Sequence, residues 1–151
     1  MNREIKFKAW HKENKEMFKV EALYRSLVAR STSTLCRLED AELMQFTGIK
    51  DSEGKDVYEG DIVERSEHND ICDIVYREDW GAFAFHGRTK IGDGFSRLYS
   101  GHSVFPWKVI GNIFEQELLG KELHNPDIIG FKRTDKGKIE ITHSPRLKKI
   151  E

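Results

Sequence analysis

LMQFTGIKDSEGKDVYEGDIV, residues 43–63, is the stretch that decides the fold of this chain. Gly48, Gly54 and Gly60 predict two turns, one over residues 48–54 and a tight one at residues 59–60, because glycine adopts the positive φ that turns require. Asp61 follows the last of them, where a short carboxylate accepts hydrogen bonds from nearby backbone amides. The stretch therefore predicts closely spaced strands joined by turns, and it displays no reactive group.

Short strands are predicted on both sides of this stretch. Residues 5–10 alternate apolar and charged side chains, as in a half-buried strand, and residues 71–76 are apolar on both faces, as in a strand inside a barrel or sandwich. Further strands are predicted at residues 17–20, 80–85 and 104–114, the last with Phe105, Trp107, Val109, Gly111 and Ile113 on one face. The class is mainly β (a β-rich α+β protein): a small, strongly bent antiparallel barrel with SH3-like features and short helical segments.

Three segments are less regular in sequence. Residues 21–30 fit a helical stripe without a cap, so no helix is predicted there. Residues 87–101 contain four of the twelve glycines and predict a mobile loop or an irregular hairpin. Residues 115–119 predict a short helical turn that Gly120 closes.

The composition of the chain changes after Gly120. Residues 1–120 are expected to form the β-rich domain, and residues 121–151 a basic C-terminal extension. Within it, residues 130–151 hold seven lysines and arginines against three acidic residues, a local charge of +4. Residues 128–133 and 138–142 flank a turn with Gly137 in a left-handed position, which predicts a hairpin.

Composition excludes several classes of protein. A formal charge of −1 over 151 residues excludes a globally basic nucleic-acid-binding protein. Two cysteines are too few for a disulfide framework, and the charged N-terminus predicts neither a signal peptide nor a spanning helix. We therefore expect a protein of the cytoplasm, without membrane association.

Four pieces of the chain together resemble a known family. They are REIKFKAW (3–10), QFTGIKD (45–51), VYEGDIV (57–63) and VIGNIFE (109–115). In this order they resemble the YopX family of phage and prophage proteins, over roughly residues 3–119. The resemblance implies a phage-encoded, β-rich accessory protein in the bacterial host cell, and it supplies no catalytic residue.

The residue types that carry chemistry form no recognisable catalytic or metal-binding pattern. Glu59 and Asp61, two residues apart, suit an acid–base pair, but turn chemistry is favoured for both. His68, Cys72, His86 and His102 lack the close Cys or His pairs typical of zinc sites, so a buried Cys72 and solvent-facing histidines are expected. A Cys–His nucleophile stays open, with nothing near either cysteine to support it. Asp93 between two glycines lacks the further acidic ligands of a calcium loop. We therefore predict no enzyme, no metal and no cofactor.

Aromatic and basic residues lie close together in the second half of the chain. Small barrels bind single-stranded nucleic acid by stacking bases on exposed aromatic rings beside a basic groove. The candidate contact residues, for nucleic acid or for a protein partner, are Arg77, Trp80, Arg88, Lys90, Arg97 and Tyr99. The favoured alternative is that the aromatic residues form the core of a domain that has few aliphatic ones.

Three functional hypotheses follow. The first is a non-enzymatic phage or prophage accessory protein that acts by binding, as a homo-oligomer joined through open strand edges. The second is a barrel that binds single-stranded nucleic acid, and the third is an inhibitor of a host protein.

Overall fold

A computed structural model describes residues 3–31, 34–65, 70–89, 92–115, 128–133 and 139–143. Within them, short strands dominate, with one 3₁₀ turn at Leu38–Asp40. The strands are β1 (Phe7–His11), β2 (Glu16–Lys19), β3 (Ala22–Leu23), β4 (Leu27–Ser31), β5 (Thr34–Arg37), β6 (Ala41–Lys50), β7 (Asp56–Tyr58), β8 (Asp61–Arg65), β9 (Asp70–Arg77), β10 (Ala82–Thr89), β11 (Gly92–Arg97), β12 (Trp107–Asn112), β13 (Ile128–Arg133) and β14 (Ile139–His143).

The main sheet has five antiparallel strands in the order β11-β10-β9-β8-β12. Strands β8 to β11 form a meander, and β12 returns to pair with β8, so the sheet curls into a half-barrel that stays open between β11 and β12. The predicted mainly β fold with a strongly bent antiparallel barrel is confirmed.

Three smaller sheets accompany the half-barrel. Strands β2-β1-β6-β7 form a four-stranded sheet, β3-β4-β5 a three-stranded sheet and β13-β14 a hairpin, so the predicted C-terminal hairpin is confirmed. Strand β13 lies against β9 and β10. The turn of this hairpin, with Gly137, and the helical turn predicted at 115–119 beyond Glu115 lie outside the described residues.

The glycines of residues 43–63 play two different structural roles. Gly54 (φ +81°) and Gly60 (φ +86°) lie in tight turns, as predicted. The prediction of a turn at Gly48 is wrong, because Gly48 (φ +86°) lies inside β6 where the pairing with β7 shifts register between Phe46 and Lys50. A bulge inside a strand needs the same positive φ as a turn, so the sequence signal alone does not separate the two.

The core of the half-barrel is built from strands β7 to β10 and β12. Its fully buried members are Val57, Val63, Cys72, Ile74, Phe85 and Trp107. Phe85 and Trp107 meet edge to face with ring centroids 5.2 Å apart. The interpretation of these two aromatic residues as core is therefore confirmed, and so are the two-sided burial of residues 71–74 and the burial of Cys72.

Several local predictions need correction. For residues 87–101, the mobile-loop alternative is wrong for residues 87–89 and 92–97, which pair as two antiparallel strands. The pairing of β10 with β11 is continuous from Ala84↔Arg97 to Thr89↔Gly92, so it is regular where an irregular hairpin was the other alternative. The last strong strand begins at Trp107, and Val104 is 88% exposed. A register shift between Val109 and Gly111 also breaks the single face predicted for residues 105–113. At residues 21–30 no helix is predicted, and the structure agrees, because this segment contains β3 and most of β4.

No helix in the described ranges is both long and apolar enough to cross a membrane.

Candidate functional site

Asp61 joins three strands directly after the 59–60 turn. Its side chain is 1% exposed. Oδ2 accepts the Tyr58 N–H at 2.8 Å, while Oδ1 accepts Lys8 Nζ at 2.9 Å and Asn112 Nδ2 at 3.0 Å. The prediction that Asp61 binds a backbone amide is confirmed, and the same carboxylate also joins β1, β7 and β12. These contacts give Asp61 a structural role.

Asp51 also joins distant backbone segments, through contacts with the 51–55 turn and with β12. This buried carboxylate accepts the N–H groups of Glu53 (2.9 Å) and Lys55 (2.8 Å) through Oδ1 and that of Val109 (3.0 Å) through Oδ2. Gly101 lies so close that a Cβ there would overlap the Asp51 backbone. Asp51 thus fixes the 51–55 turn against β12.

A cleft of about 750 Å³ opens on the face of the main sheet opposite its core. One wall is β9 to β11, and the other is β6 together with the 59–60 turn and residues 113–114. Two backbone hydrogen bonds fix that turn: Glu59 N–H to the Gln45 carbonyl (2.9 Å) and Gly60 N–H to the Ile74 carbonyl (2.8 Å). The cleft therefore lies where two sheets meet, at the turn that the sequence marks most clearly.

The lining of the cleft combines apolar and acidic side chains. Met44, Val75 and Phe114 contribute apolar surface. The carboxylates that line it are Glu42, Glu59, Asp73, Glu78, Asp79 and Asp93, against Arg77 and His86. This excess of carboxylates gives the cleft a negative potential, which favours cationic ligands.

Two of these carboxylates have shifted pKa values. Burial raises the pKa of Glu59 above its ordinary value. Asp79 has a lowered pKa because Arg77 donates to both of its oxygens, at 2.9 and 2.5 Å. Arg77 is thereby neutralised locally, and Lys12 Nζ pairs with Glu42 at 3.3 Å. The acidic character of the cleft therefore comes mainly from Glu59, Asp73, Glu78 and Asp93.

A histidine stands between two carboxylates in the wall of the cleft. His86 Nδ1 lies 3.1 Å from Asp73 Oδ1, and its Nε2 lies 3.1 Å from Asp93 Oδ1. Its ring stacks on Phe95 with centroids 4.8 Å apart. The expectation of a solvent-facing His86 is therefore wrong, whereas His102 is exposed as expected. His68 lies outside the described residues.

An aromatic and cationic cluster lies beside this histidine. The Arg77 guanidinium lies over the rings of Trp80 (4.5 Å) and Phe95 (4.1 Å), and that of Arg97 lies 5.6 Å from the Trp80 ring. We call Arg77, Trp80, Phe95 and Arg97 the aromatic–cation cluster. It brings together three of the six candidate contact residues.

The other three candidate contact residues lie elsewhere. Tyr99 packs on Phe85 (5.2 Å between centroids) and its carbonyl accepts Trp107 Nε1–H at 3.1 Å, so it belongs to the core of the half-barrel. Arg88 lies in β10 at the register position opposite Asp93. Lys90 lies outside the described residues.

The match to a family model covers most of the chain. The model of the YopX protein family matches residues 6–120. This chain belongs to the YopX family. The C-terminal hairpin β13-β14 follows the matched region.

A solved structure has the fold of this YopX-family chain. The crystal structure of protein EF1440 from Enterococcus faecalis superposes with a TM-score of 0.59 at 22% identity, and the alignment covers 78% of this chain and 99% of that one. At this identity the likeness establishes the fold. Among curated proteins, no sequence match is found.

Phe95, Asp73 and His86 were missed as members of the site in this YopX-family chain. The available signal was the alternation of Asp93, Phe95 and Arg97 at every second position, which is the period of a strand. The glycines around these residues outweighed that signal and favoured a loop.

The cysteines and acidic residues offer no visible catalytic or metal chemistry in the described ranges. Burial raises the pKa of Cys72 to about 12, which suppresses the thiolate that acts as a nucleophile. No group of three or more His, Cys, Asp or Glu in those ranges is placed to hold a metal ion. The arrangement is suited to electrostatic and aromatic recognition.

Proposed function

We propose that this protein is a non-enzymatic accessory protein of a phage or prophage that acts by binding, and that the acidic cleft is its contact surface for a basic segment of another protein. The observation that carries the proposal is the composition of the cleft: six carboxylates beside apolar side chains, against one arginine and one histidine. The phage setting rests on membership of the YopX family.

The cleft suits a peptide-like ligand for physical reasons. Lysine and arginine combine a long apolar stem with a charged end, so the stem packs on apolar surface while the charge reaches a carboxylate. The exposed Glu78 and the half-buried Glu59 line the cleft together with the apolar side chains of Met44 and Phe114. Nucleic acid meets repulsion at the same surface, because its phosphates carry the same charge as the walls.

The direct test measures the anisotropy of a fluorescent oligolysine peptide with aromatic residues, titrated with the full chain. The triple variant Glu42→Gln, Glu59→Gln and Glu78→Gln removes three cleft charges at nearly constant size. An exposed ion pair contributes about 0.2–1 kcal/mol, so the variant should bind about threefold to more than a hundredfold more weakly.

The matched control removes three exposed carboxylates away from the cleft: Glu13→Gln, Glu21→Gln and Glu53→Gln. It has the same net charge as the cleft variant. Equal affinity of the two triple variants would refute the cleft as the binding surface, since general attraction to an acidic protein would then explain the binding.

Single-stranded nucleic-acid binding is the second candidate, favoured by the aromatic–cation cluster. Trp80 and Arg97 stand together at the surface beside the partly exposed Phe95. Against it, Arg77 is bound to Asp79 and its guanidinium already covers the rings on which bases would stack. Quenching of tryptophan fluorescence by an oligonucleotide at low salt, abolished by Trp80→Ala, would support this function over the first.

Inhibition of a host protein is a special case of the first proposal, in which the basic segment belongs to a protein of the bacterial cytoplasm. Affinity capture with the wild-type chain and the two triple variants tests it. A host protein retained by wild type and control but not by the cleft variant would support it, and retention by all three would count against it.

A further inference from the structure

We propose that two copies of this chain join edge to edge through β11, in antiparallel register centred on Phe95. This inference does not depend on the binding proposal for the cleft, and it assigns the interface of the homo-oligomer. Strand β11 ends the five-stranded sheet, and within the described residues β10 is the strand that pairs with it. An unpaired strand edge offers a row of N–H and C=O groups to another strand.

The backbone groups on the outer edge follow from the pairing with β10. Leu98 N–H donates to the Phe83 carbonyl, and Leu98 continues the register in which Arg97 faces Ala84. In an antiparallel pair, alternate residues direct both backbone groups to the partner. Ser96 and Gly94 therefore face β10, while Asp93, Phe95 and Arg97 direct their N–H and C=O groups outward.

The same three residues carry their side chains on one face. Phe95 stacks on His86, Asp93 lies against that histidine, and Arg97 stands over Trp80. All of these lie on the cleft face of the sheet, because side chains of a strand alternate with period two. Phe95 is 37% exposed, and the side chain of Asp93 is 56% exposed.

The order Asp93, Phe95, Arg97 is complementary to itself when the strand is reversed. A two-fold axis at Phe95 places Asp93 opposite Arg97 of the second copy, Arg97 opposite its Asp93, and the two Phe95 rings side by side. All three positions are pairs whose backbone groups face each other, so the seam forms about six backbone hydrogen bonds. Parallel pairing would instead set like charges together, which is unfavourable.

Arg97 and Asp93 supply the opposite charges at the seam. No carboxylate of the described residues lies within ion-pair distance of Arg97, which stands over Trp80. Asp93 contacts His86 through Oδ1, and a carboxylate with about four acceptor sites can accept a guanidinium in addition. The two half-barrels would form one continuous ten-stranded sheet, with both clefts open on the same side.

The test is a charge swap read by sedimentation velocity of the full chain over a concentration series. Wild type should dimerise, while Arg97→Asp and Asp93→Arg each set like charges opposite one another and should weaken the dimer by at least about tenfold. A mixture of these two variants restores complementary pairs, so it should form a mixed dimer within about threefold of wild-type affinity. A monomeric wild type at high micromolar concentration, single variants that dimerise normally, or a mixture that stays monomeric would each overturn the proposal.

A cysteine cross-link tests the register without altering the charges. Phe95→Cys places two thiols across the axis at a Cα separation of about 5.5 Å, within the range that disulfides span. It should form a covalent dimer at least about tenfold faster than the exposed control Val104→Cys, because the dimer holds its thiols at high effective concentration. Equal rates would refute the register. Arg97→Asp should still bind the oligolysine probe through the cleft, so failure of the dimer and failure of the cleft are distinguishable.

Discussion

Substitution of Asp61 by alanine should be among the most destabilising single changes in this chain. The carboxylate is buried and accepts from the Tyr58 N–H, Lys8 Nζ and Asn112 Nδ2. Asp61→Ala leaves all three donors without that acceptor. Since those donors belong to three different strands, the loss weakens the joint between the four-stranded sheet and the half-barrel.

The magnitude follows from the burial of the ion pair. Removing one partner of a buried pair costs about 3–5 kcal/mol. The Lys8 side chain is 17% exposed, so partial rehydration of its ammonium places the cost toward the lower end. For a domain with a free energy of unfolding of about 5–15 kcal/mol, the Tm should fall by about 6–20 °C.

Asparagine should not rescue this position. Its amide offers one acceptor and one donor group, whereas both oxygens of Asp61 accept hydrogen bonds. Either orientation of the Asn side chain turns an NH₂ group toward a donor. We therefore expect Asp61→Asn to lose about 2–4 kcal/mol, much of the alanine effect.

The assay is urea unfolding followed by circular dichroism, with Asp79→Ala as the control. Asp79 forms a solvent-exposed ion pair with Arg77, so its loss should change stability far less than the loss of Asp61. A double-mutant cycle with Lys8→Met should give a coupling of about 0.5–3 kcal/mol between Lys8 and Asp61. An Asp61→Ala variant within about 1 kcal/mol of wild type, or a cycle without coupling, would show that the buried carboxylate does not hold the sheets together.

Three further outcomes are expected. Burial raises the pKa of Glu59, so its charged form destabilises the fold above that pKa, and Glu59→Gln should raise Tm at neutral pH. This gain in Tm should vanish below the ordinary carboxyl pKa, and a gain that stays constant across pH would show that the buried charge is not its cause. Burial raises the pKa of Cys72 to about 12, so its thiol should react with a thiol-specific reagent only at the rate of unfolding, measured by mass spectrometry of the modified peptide. Rapid labelling in the native state would contradict this and show that β9 opens locally. Gly101→Ala should lower Tm much more than Gly54→Ala, because a Cβ at position 101 would overlap the Asp51 backbone, whereas at position 54 φ is +81° but space is open and the expected cost is about 1–2 kcal/mol. Thermal unfolding compares the two variants, and a milder effect at Gly101 would refute the close approach.

The turns and the strand alternation could be predicted from the sequence because they depend on residues that are neighbours in the chain. A glycine with positive φ at position 54 or 60, a capping carboxylate at Asp61 and the period-two alternation of β1 need no knowledge of distant residues. The same rules predicted the C-terminal hairpin, whose strands are close in sequence. Together with the four matched pieces, they also identified the family.

The site depended on pairings that no local rule contains. Asp73, His86 and Asp93 become neighbours only through the register of β9, β10 and β11, and the cleft forms only where β6 and the 59–60 turn face that sheet. Register also decided that Gly48 lies in a bulge and that Tyr99 packs in the core. Sequence alone determined the turns, the strand class and the family, because φ preferences and side-chain alternation are local. Tertiary structure alone decided which charges share a surface, because strand pairing joins residues that are distant in the chain.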